Sequence, residues 1–546
     1  MINFETPLEA FLYWEKHIPN KFFLEQPVNG GCVTYTYAEA GVEVRKIAHA
    51  ITSYNLPKDS HIALLSKNCA HWVLADLAIM ISGFISIPIY PTLNSASINQ
   101  ILIHSESKLI IVGKLDDYEN QKGGIPDIPR ISVALYGQSD GQLWEDVVKE
   151  AQSLDYDHKQ QANDLHTIIY TSGTTGVPKG VMHSSGNLMV SARTLTKLFN
   201  LPSNLKLFSY LPLAHVAERV MINAGVVLGG TISFTESLET FSNDLEKTQP
   251  HLFFAVPRIW TKFREKILES IPQKKLNLLL AIPILKNIVK NKLKEKLGLK
   301  EALFVVSAAA PISASLISWY RKIGITIFQG YGMTEDCCVS HFNTNEHDKI
   351  GTVGKTLYNV QVKLSAEGEI CIKNNCLMKG YFKEPEITAT VFDQEGYLKT
   401  GDIGEFDHDG FLTITGRVKD QFKTDKGKYI SPSHIELMMS KNTNIEQICI
   451  VGTGIPQPIA LITLSVSGTA KEKEVLISSL EDSVKLVNGG LEKHEKIEKV
   501  IIMKEDWNVA NGLTTPTMKV KRTQIEKIHK AYYKSWFDMN ESIIFE

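Results

Sequence analysis

"TIIYTSGTTGVPKGVMH", residues 167–183, sets an apolar β-branched run directly before a loop of hydroxyl side chains, glycines and one lysine. The run at 166–170 has the composition of a short buried strand, and the glycines punctuate the segment behind it. Thr171, Ser172, Thr174 and Thr175 supply hydroxyls, while Gly173 and Gly176 let the backbone fold closely around an anion. In such a loop, N–H groups and hydroxyls donate to phosphate oxygens, and Lys179 adds positive charge. A polar hairpin loop uses the same residue types, so the loop alone does not choose between the two. A Walker A loop is excluded by spacing, because Lys179 comes three residues after Gly176, behind Pro178, and no Ser or Thr follows it.

At 546 residues the chain is long enough for more than one domain with an ample core. Hydrophobic residues at 43% and charged residues at 22% describe an ordinary globular protein, and a net charge of −2 gives no global field that would draw nucleic acid. The seven cysteines contain no Cys-x-x-Cys pair, which argues for reduced thiols in a cytoplasmic protein and against a zinc site. Residues 1–20 are too acidic and too interrupted for a secretory signal. The most membrane-like window, 72–90, is broken by Asp76, Gly83 and Pro88, so it reads as a buried helix running into a buried strand.

Up to about residue 415, strand-like runs (61–66, 84–90, 108–113, 205–213, 231–236, 252–257) alternate with amphipathic stretches such as 38–54 and 94–105. That alternation predicts an α/β fold of layered, mostly parallel sheets with helices. Residues 360–415 change to short β runs with Gly/Asp turns, the pattern of a small β-rich subdomain. A polar, Lys/Gly-rich stretch comes next, and 434–546 reads as helices around short strands. These shifts put a boundary near Lys419, giving a core of 1–418 and a smaller α+β C-terminal domain of 419–546. One segment stands apart. Residues 264–300 carry ten Lys/Arg against three Glu, with Leu/Ile at helical intervals. It reads either as a basic amphipathic element on an anionic membrane face or as a solvated insertion packed on its own domain. Pro272 and Pro283 break any single long helix there.

Further motifs suggest chemistry without deciding it. In "QGYGMTED" (329–336), Tyr331 could stack on a planar base, Thr334 hold a phosphate oxygen and Glu335 ligate Mg²⁺. "YLKTGDIG" (397–404) sets Asp402 in a turn where it could accept both hydroxyls of a ribose, although Gly-Asp also marks plain turns. Arg417 is a planar cation beside the boundary, and Lys519 sits on a Thr/Pro-rich loop near the C-terminus.

Taken in order, "YTSGTTGVPKG", "LPLAHVAER", "SAAAPIS", "GYGMTE", "TGD", "GRVKD" and "PTMKVKR" resemble the core motifs of the adenylate-forming superfamily. That superfamily includes acyl-CoA synthetases, firefly luciferase and peptide-synthetase adenylation domains. The resemblance spans residues ~35 to ~525, and "VPRIWTKFREKI", "LPLAHVAERV" and "LTTPTMKVKR" are most similar to long-chain fatty acyl-CoA synthetases (AMP-forming).

The resemblance implies a role for each motif. Thr171, Ser172, Gly173, Thr174 and Thr175, with Lys179, would hold the β- and γ-phosphates. Ala309, Ala310 and Pro311 would line the adenine, with Tyr331, Gly332 and Met333 against its face. Thr334 would contact the α-phosphate and Glu335 the Mg²⁺, while Asp402 and Arg417 would bind the ribose. His215 would border the acyl carboxylate. Lys419 would be a hinge, and Lys519 the mobile catalytic lysine of the first half-reaction. ATP and coenzyme A are the implied co-substrates, a fatty acid the substrate, and nucleic acid no partner. A monomer or homodimer in the cytoplasm is expected, with the inner membrane face a second location through 264–300. Two alternatives stay open: a fatty acyl-AMP ligase loading a carrier-protein phosphopantetheine, and a non-catalytic acyl-binding protein on the same scaffold. "SAAAP" departs from the glycine-richer version common in the family and adds methyl groups beside the adenine.

Overall fold

The apolar runs pair with one another as parallel strands, because each is apolar on both of its faces. A computed structural model describes residues 2–151, 159–171, 178–515 and 518–546. His61–Leu65 lies between Ile85–Ile89 and Leu109–Val112, parallel to both. Leu165–Thr171 joins the other side of Ile85–Ile89, and Lys179–Ser184 returns antiparallel to it. With Gly380–Tyr381 at that edge, this sheet has eight strands among the described residues.

A second sheet, of nine strands among the described residues, is parallel through Thr231–Phe234, Lys206–Ser209, Leu252–Ala255, Phe304–Ser307 and Ile327–Tyr331. Antiparallel strands flank it at both ends. Parallel strands need cover on both faces, and helices between the sheets together with others on their outer faces, such as Ser95–His104 and Pro257–Ser270, supply it. The fold is therefore α/β with mostly parallel layers, as expected.

The membrane-like window resolves as read. Helix Ala70–Ile81 has all of its residues buried, which is what a helix apolar all round requires. Gly83 takes the left-handed φ of 75° that turns the chain into strand Ile85–Ile89. Among the described residues no helix is long and apolar enough to cross a membrane. The basic segment is three helices, Pro257–Ser270, Gln273–Ala281 and Pro283–Lys296, broken where Pro272 and Pro283 fall. Several strand readings run long, 231–236 among them, where the strand is Thr231–Phe234. Lys206–Ser209 stops before the Tyr210–Leu213 turn, and Leu252–Ala255 stops because Pro257 opens a helix.

Asp76 has a purpose inside the apolar helix. Arg219, on helix Val216–Val227, donates from Nη2 to both Asp76 oxygens at 3.0 and 2.8 Å. The same nitrogen donates to His166 Nε2 at 2.7 Å, and Nη1 reaches Thr167 Oγ1 at 3.3 Å. Burial alone would raise the Asp76 pKa, but the Arg219 charge and the His166 contact bring it down to about 2. This buried brace ties two inter-sheet helices to strand Leu165–Thr171.

Val360–Leu364, Glu369–Asn374, Leu398–Phe406 and Leu412–Arg417 form an antiparallel four-stranded sheet. Beyond it a smaller unit carries its own mixed sheet, Ile445–Val451, Ile459–Leu464, Lys499–Ile502 and Ile543–Phe545. Apolar clusters cover that sheet on two sides, one around Ile450 and Leu480, the other around Trp507 and Tyr533. Ser431 Oγ donates to the Thr415 carbonyl at 3.0 Å, and an Arg258–Glu446 ion pair spans the larger and smaller units. All seven cysteines are free, and five of them are buried.

Candidate active site

Strands Leu165–Thr171 and Lys179–Ser184, on either side of the glycine-rich stretch, pair antiparallel up to Thr171 opposite Lys179. Ser172, Gly173, Thr174 and Thr175 lie outside the described residues. Alternation along the second strand puts Lys179 and His183 on one face. Tyr381, paired with Val181, is a diagonal neighbour of Lys179, whose Nζ sits 5.0 Å from the ring centroid. The Tyr381 hydroxyl donates to Glu335 Oε1 at 2.8 Å. Burial raises the Glu335 pKa, while this hydrogen bond pulls it down.

Thr334, Glu335 and Asp336 form a single 3₁₀ turn held by its neighbours. His183 Nε2 donates to the Thr334 carbonyl at 2.7 Å, leaving Nδ1 to accept from the Cys337 thiol at 3.4 Å. Asp336 Oδ1 accepts from the N–H groups of Met333 and Cys338 at 2.8 and 2.9 Å. A Cβ on Gly332 would meet the Cys338 backbone at 2.5 Å, so only glycine lets this loop fold back on itself.

On the adjoining strand Tyr331 donates its hydroxyl to Asp402 Oδ2 at 2.7 Å. Asp402 stands opposite Arg417 in the small sheet and accepts from its Nε at 2.6 Å through Oδ1. A carboxylate offers about four acceptor positions, so two remain for a diol. Ser307 and Gln329 are register partners two residues before Ala309 and Tyr331. Their buried Oγ and Oε1 have no partner among the described residues. Orphaned polar atoms at the carboxyl ends of parallel strands fit a polar planar ligand there. Ala309 is held at φ 69°, a left-handed conformation that explains why glycine is the easier residue. Ala310 and Pro311 are exposed on the same loop.

His215 caps helix Val216–Val227, its Nδ1 accepting from Ala217 N–H at 3.2 Å, so its proton is on Nε2. Burial, and then the Lys519 charge, bring its pKa down to about 4. Lys519, on the smaller unit, is exposed and interacts electrostatically with Arg417, Asp402, Glu335 and Cys338. Crowding by the surrounding protein, followed by the Arg417 charge, lowers its pKa although the residue keeps contact with solvent. Its loop is closed by Thr515 N–H donating to the Lys519 carbonyl at 2.8 Å and Lys519 N–H donating to Thr515 Oγ1 at 3.0 Å. Lys419 lies in the exposed turn Val418–Asp420 between the two units.

Among the described candidates, contacts join Lys179, Tyr381 and Glu335 in one group and Tyr331, Asp402 and Arg417 in another, and Lys519 of the smaller unit interacts electrostatically with Glu335, Asp402 and Arg417. A family model described as AMP-binding enzyme matches residues 14–382, and one for the C-terminal domain of such enzymes matches 419–539. The chain belongs to the AMP-binding enzyme family. A mouse relative, long-chain-fatty-acid–CoA ligase 5, is 29% identical over 89% of this chain and 81% of its own. The Mycobacterium bovis relative, long-chain-fatty-acid–CoA ligase FadD15, is also 29% identical, over 93% of both chains. Among solved structures, o-succinylbenzoate CoA synthetase from Bacillus subtilis, in complex with its acyl-adenylate intermediate, superposes with a TM-score of 0.76. It is 21% identical over 95% of this chain and 97% of its own. The adenylation–carrier didomain of a Segniliparus rugosus carboxylic acid reductase gives a TM-score of 0.80 at 19% identity, covering 98% of this chain and 82% of that one. At those identities the likeness carries the fold alone.

The sequence reading missed Tyr381, His183 and Asp336. His183 shares strand parity with Lys179, which was a usable signal. Tyr381 contacts a residue 46 positions away, and nothing local announces it.

Proposed function

We propose that this protein activates a fatty acid with ATP to an acyl-adenylate, releasing pyrophosphate, and then transfers the acyl group to coenzyme A. The observation that supports the reading is that Glu335, Asp402 and Arg417 of the larger unit all interact electrostatically with Lys519 of the smaller one. The names of the relatives supply the acid and the acceptor.

A carboxylate lacks a usable leaving group, so its oxygen first attacks the α-phosphorus of ATP and pyrophosphate departs. The thiol sulfur then attacks the carbonyl carbon of the mixed anhydride, AMP leaves with the C–O electron pair, and the thiol proton is lost. The first step joins two anions, so the site must neutralise charge where it builds up. Lys519 would lie between the carboxylate and the α-phosphate, with Thr334 on the phosphate and His215 Nε2–H facing the acid. Lys179 and the 171–175 loop would hold the outer phosphates. Ala309, Ala310, Pro311, Tyr331, Gly332 and Met333 would enclose the base, and Asp402 with Arg417 the ribose. No three acidic, His or Cys groups converge on a metal site among the described residues. A single buried Glu335 beside phosphates suits Mg²⁺, which binds through one or two carboxylates plus substrate oxygens and water. When bound, Mg²⁺ would neutralise phosphate charge.

Tyr381→Phe tests the Glu335 assignment. Losing the hydroxyl raises the Glu335 pKa further, so the acid limb of the pH–rate profile should move to higher pH. The half-saturating Mg²⁺ should rise by ~10–100-fold, as for other groups that orient a ligand. An unchanged profile and Mg²⁺ dependence would remove Glu335 from the metal role.

The overall reading is tested with Mg·ATP, coenzyme A and straight-chain acids from short to long. Acid-stimulated ATP–pyrophosphate exchange and an acyl-CoA product are expected. Exchange without thioester, rescued by a carrier-protein phosphopantetheine, would replace coenzyme A as acceptor. No exchange with any acid would leave a binding protein.

A further inference from the structure

The helical hairpin Gln273–Ala281/Pro283–Lys296 is held at its root and bare at its tip. Leu276 and Leu293 are buried in the cluster that contains Trp260, Phe263 and Tyr320, and Leu280, Val289 and Leu297 pack beside them. Leu278, Ile282, Ile284 and Ile288 point away, with 64%, 40%, 78% and 48% of their surfaces exposed. Isolated exposed leucines need no explanation, but four within eleven residues of one hairpin turn do.

The charge around that tip has one sign. Residues 271–294 contain Lys274, Lys275, Lys286, Lys290, Lys292 and Lys294 and no Asp or Glu. Lys274, Lys275, Lys286 and Lys292 are exposed, and burial together with Lys286 and Lys294 lowers the Lys290 pKa, the mark of cations crowded without counter-ions. In a chain of net charge −2 this is a local concentration. The two helices, of 9 and 14 residues, are too short to span a bilayer.

We infer that this hairpin docks on the surface of an anionic phospholipid bilayer. Ile282, Ile284 and Ile288 enter the headgroup boundary, and the lysines meet the lipid phosphates. Apolar side chains ringed by lysine are the combination that makes a segment lie on such a surface. The inference stands on the hairpin and not on the reaction proposed for the candidate active site.

Co-sedimentation of the full chain with vesicles of phosphatidylcholine, with and without phosphatidylglycerol, tests it. Partitioning should be about tenfold or more stronger on the anionic vesicles and should weaken with salt. The double variant Ile284→Ser/Ile288→Ser and the charge variant Lys286→Glu/Lys292→Glu should each lose most of that partitioning while keeping the far-ultraviolet spectrum. Equal binding to neutral and anionic vesicles, no binding, or unaffected variants would overturn the inference. So would a dimer in light scattering that the isoleucine variant dissolves, which would make the tip a face for a second copy.

Discussion

Lys519→Ala is expected to lower the rate of acyl-adenylate formation by ~10²–10³, about 2.7–4 kcal/mol of barrier, with little change in ATP affinity. Position matters here before charge does. Lys519 belongs to the smaller unit, yet its charge is felt by His215 and Cys338 of the larger one. Its backbone is fixed by reciprocal bonds with Thr515, and Met518 beside it adopts φ 63°. A lysine held this way neutralises charge as it develops between two anions, and alanine leaves that charge to water. Because Lys519 has no part in thiol attack in this account, acyl-CoA formation from supplied acyl-adenylate should persist. Normal pyrophosphate release by the variant would refute the assignment.

Asp76→Asn should cost about 3–5 kcal/mol of stability, since removing one partner of a buried pair strands the other. Arg219, 2% exposed, cannot shed its proton, so it stays charged whatever happens to its partner. Arg219→Met is not equivalent. Without the guanidinium, burial raises the Asp76 pKa and the carboxyl takes up a proton, so that variant should lose less and recover as pH falls. The wild type behaves in the opposite sense. Its Asp76 pKa, about 2 in the fold, lies below the ordinary 3.8, so the stabilisation is present above about pH 4 and lost as pH falls toward 2. Asp76→Asn should abolish that acid limb. Trp72, whose ring lies 5.2 Å from the Arg219 guanidinium, reports on the site by fluorescence during denaturant unfolding. Equal losses in both variants at every pH would contradict the asymmetry.

Asp76 also marks what was legible in the sequence. As a charge inside residues 72–90 it argued against a membrane span, and helix Ala70–Ile81 is buried as that reading required. Its partner was not legible, because Arg219 stands 143 positions away and only the stacking of two sheets brings them together. Strands were readable where apolar β-branched runs exceed the local turn signals, as at Ile85–Ile89. Their order was not: Phe22–Val28 pairs with Thr231–Phe234 across some two hundred residues, and periodicity carries no such information. Candidates such as Tyr331, Glu335 and Asp402 were nameable because each sits in a contiguous motif, whereas Tyr381 gains its meaning from a strand of two residues that leaves its neighbours to join another sheet.

The central claim is that one arrangement of two units, with Lys519 at the candidate active site, serves adenylation, and that a turn about Lys419 is required before the thiol can attack. Measuring both half-reactions in Lys419→Pro tests it most directly. Lys419 lies in a 3₁₀ turn whose φ proline can adopt, so proline locks the pivot near its present state. Acid-dependent ATP–pyrophosphate exchange should stay close to the wild-type rate. Conversion of acyl-adenylate to acyl-CoA should fall on the order of 10²-fold, the usual penalty for reacting groups held out of register. An equal fall in both half-reactions, or in neither, would contradict the account.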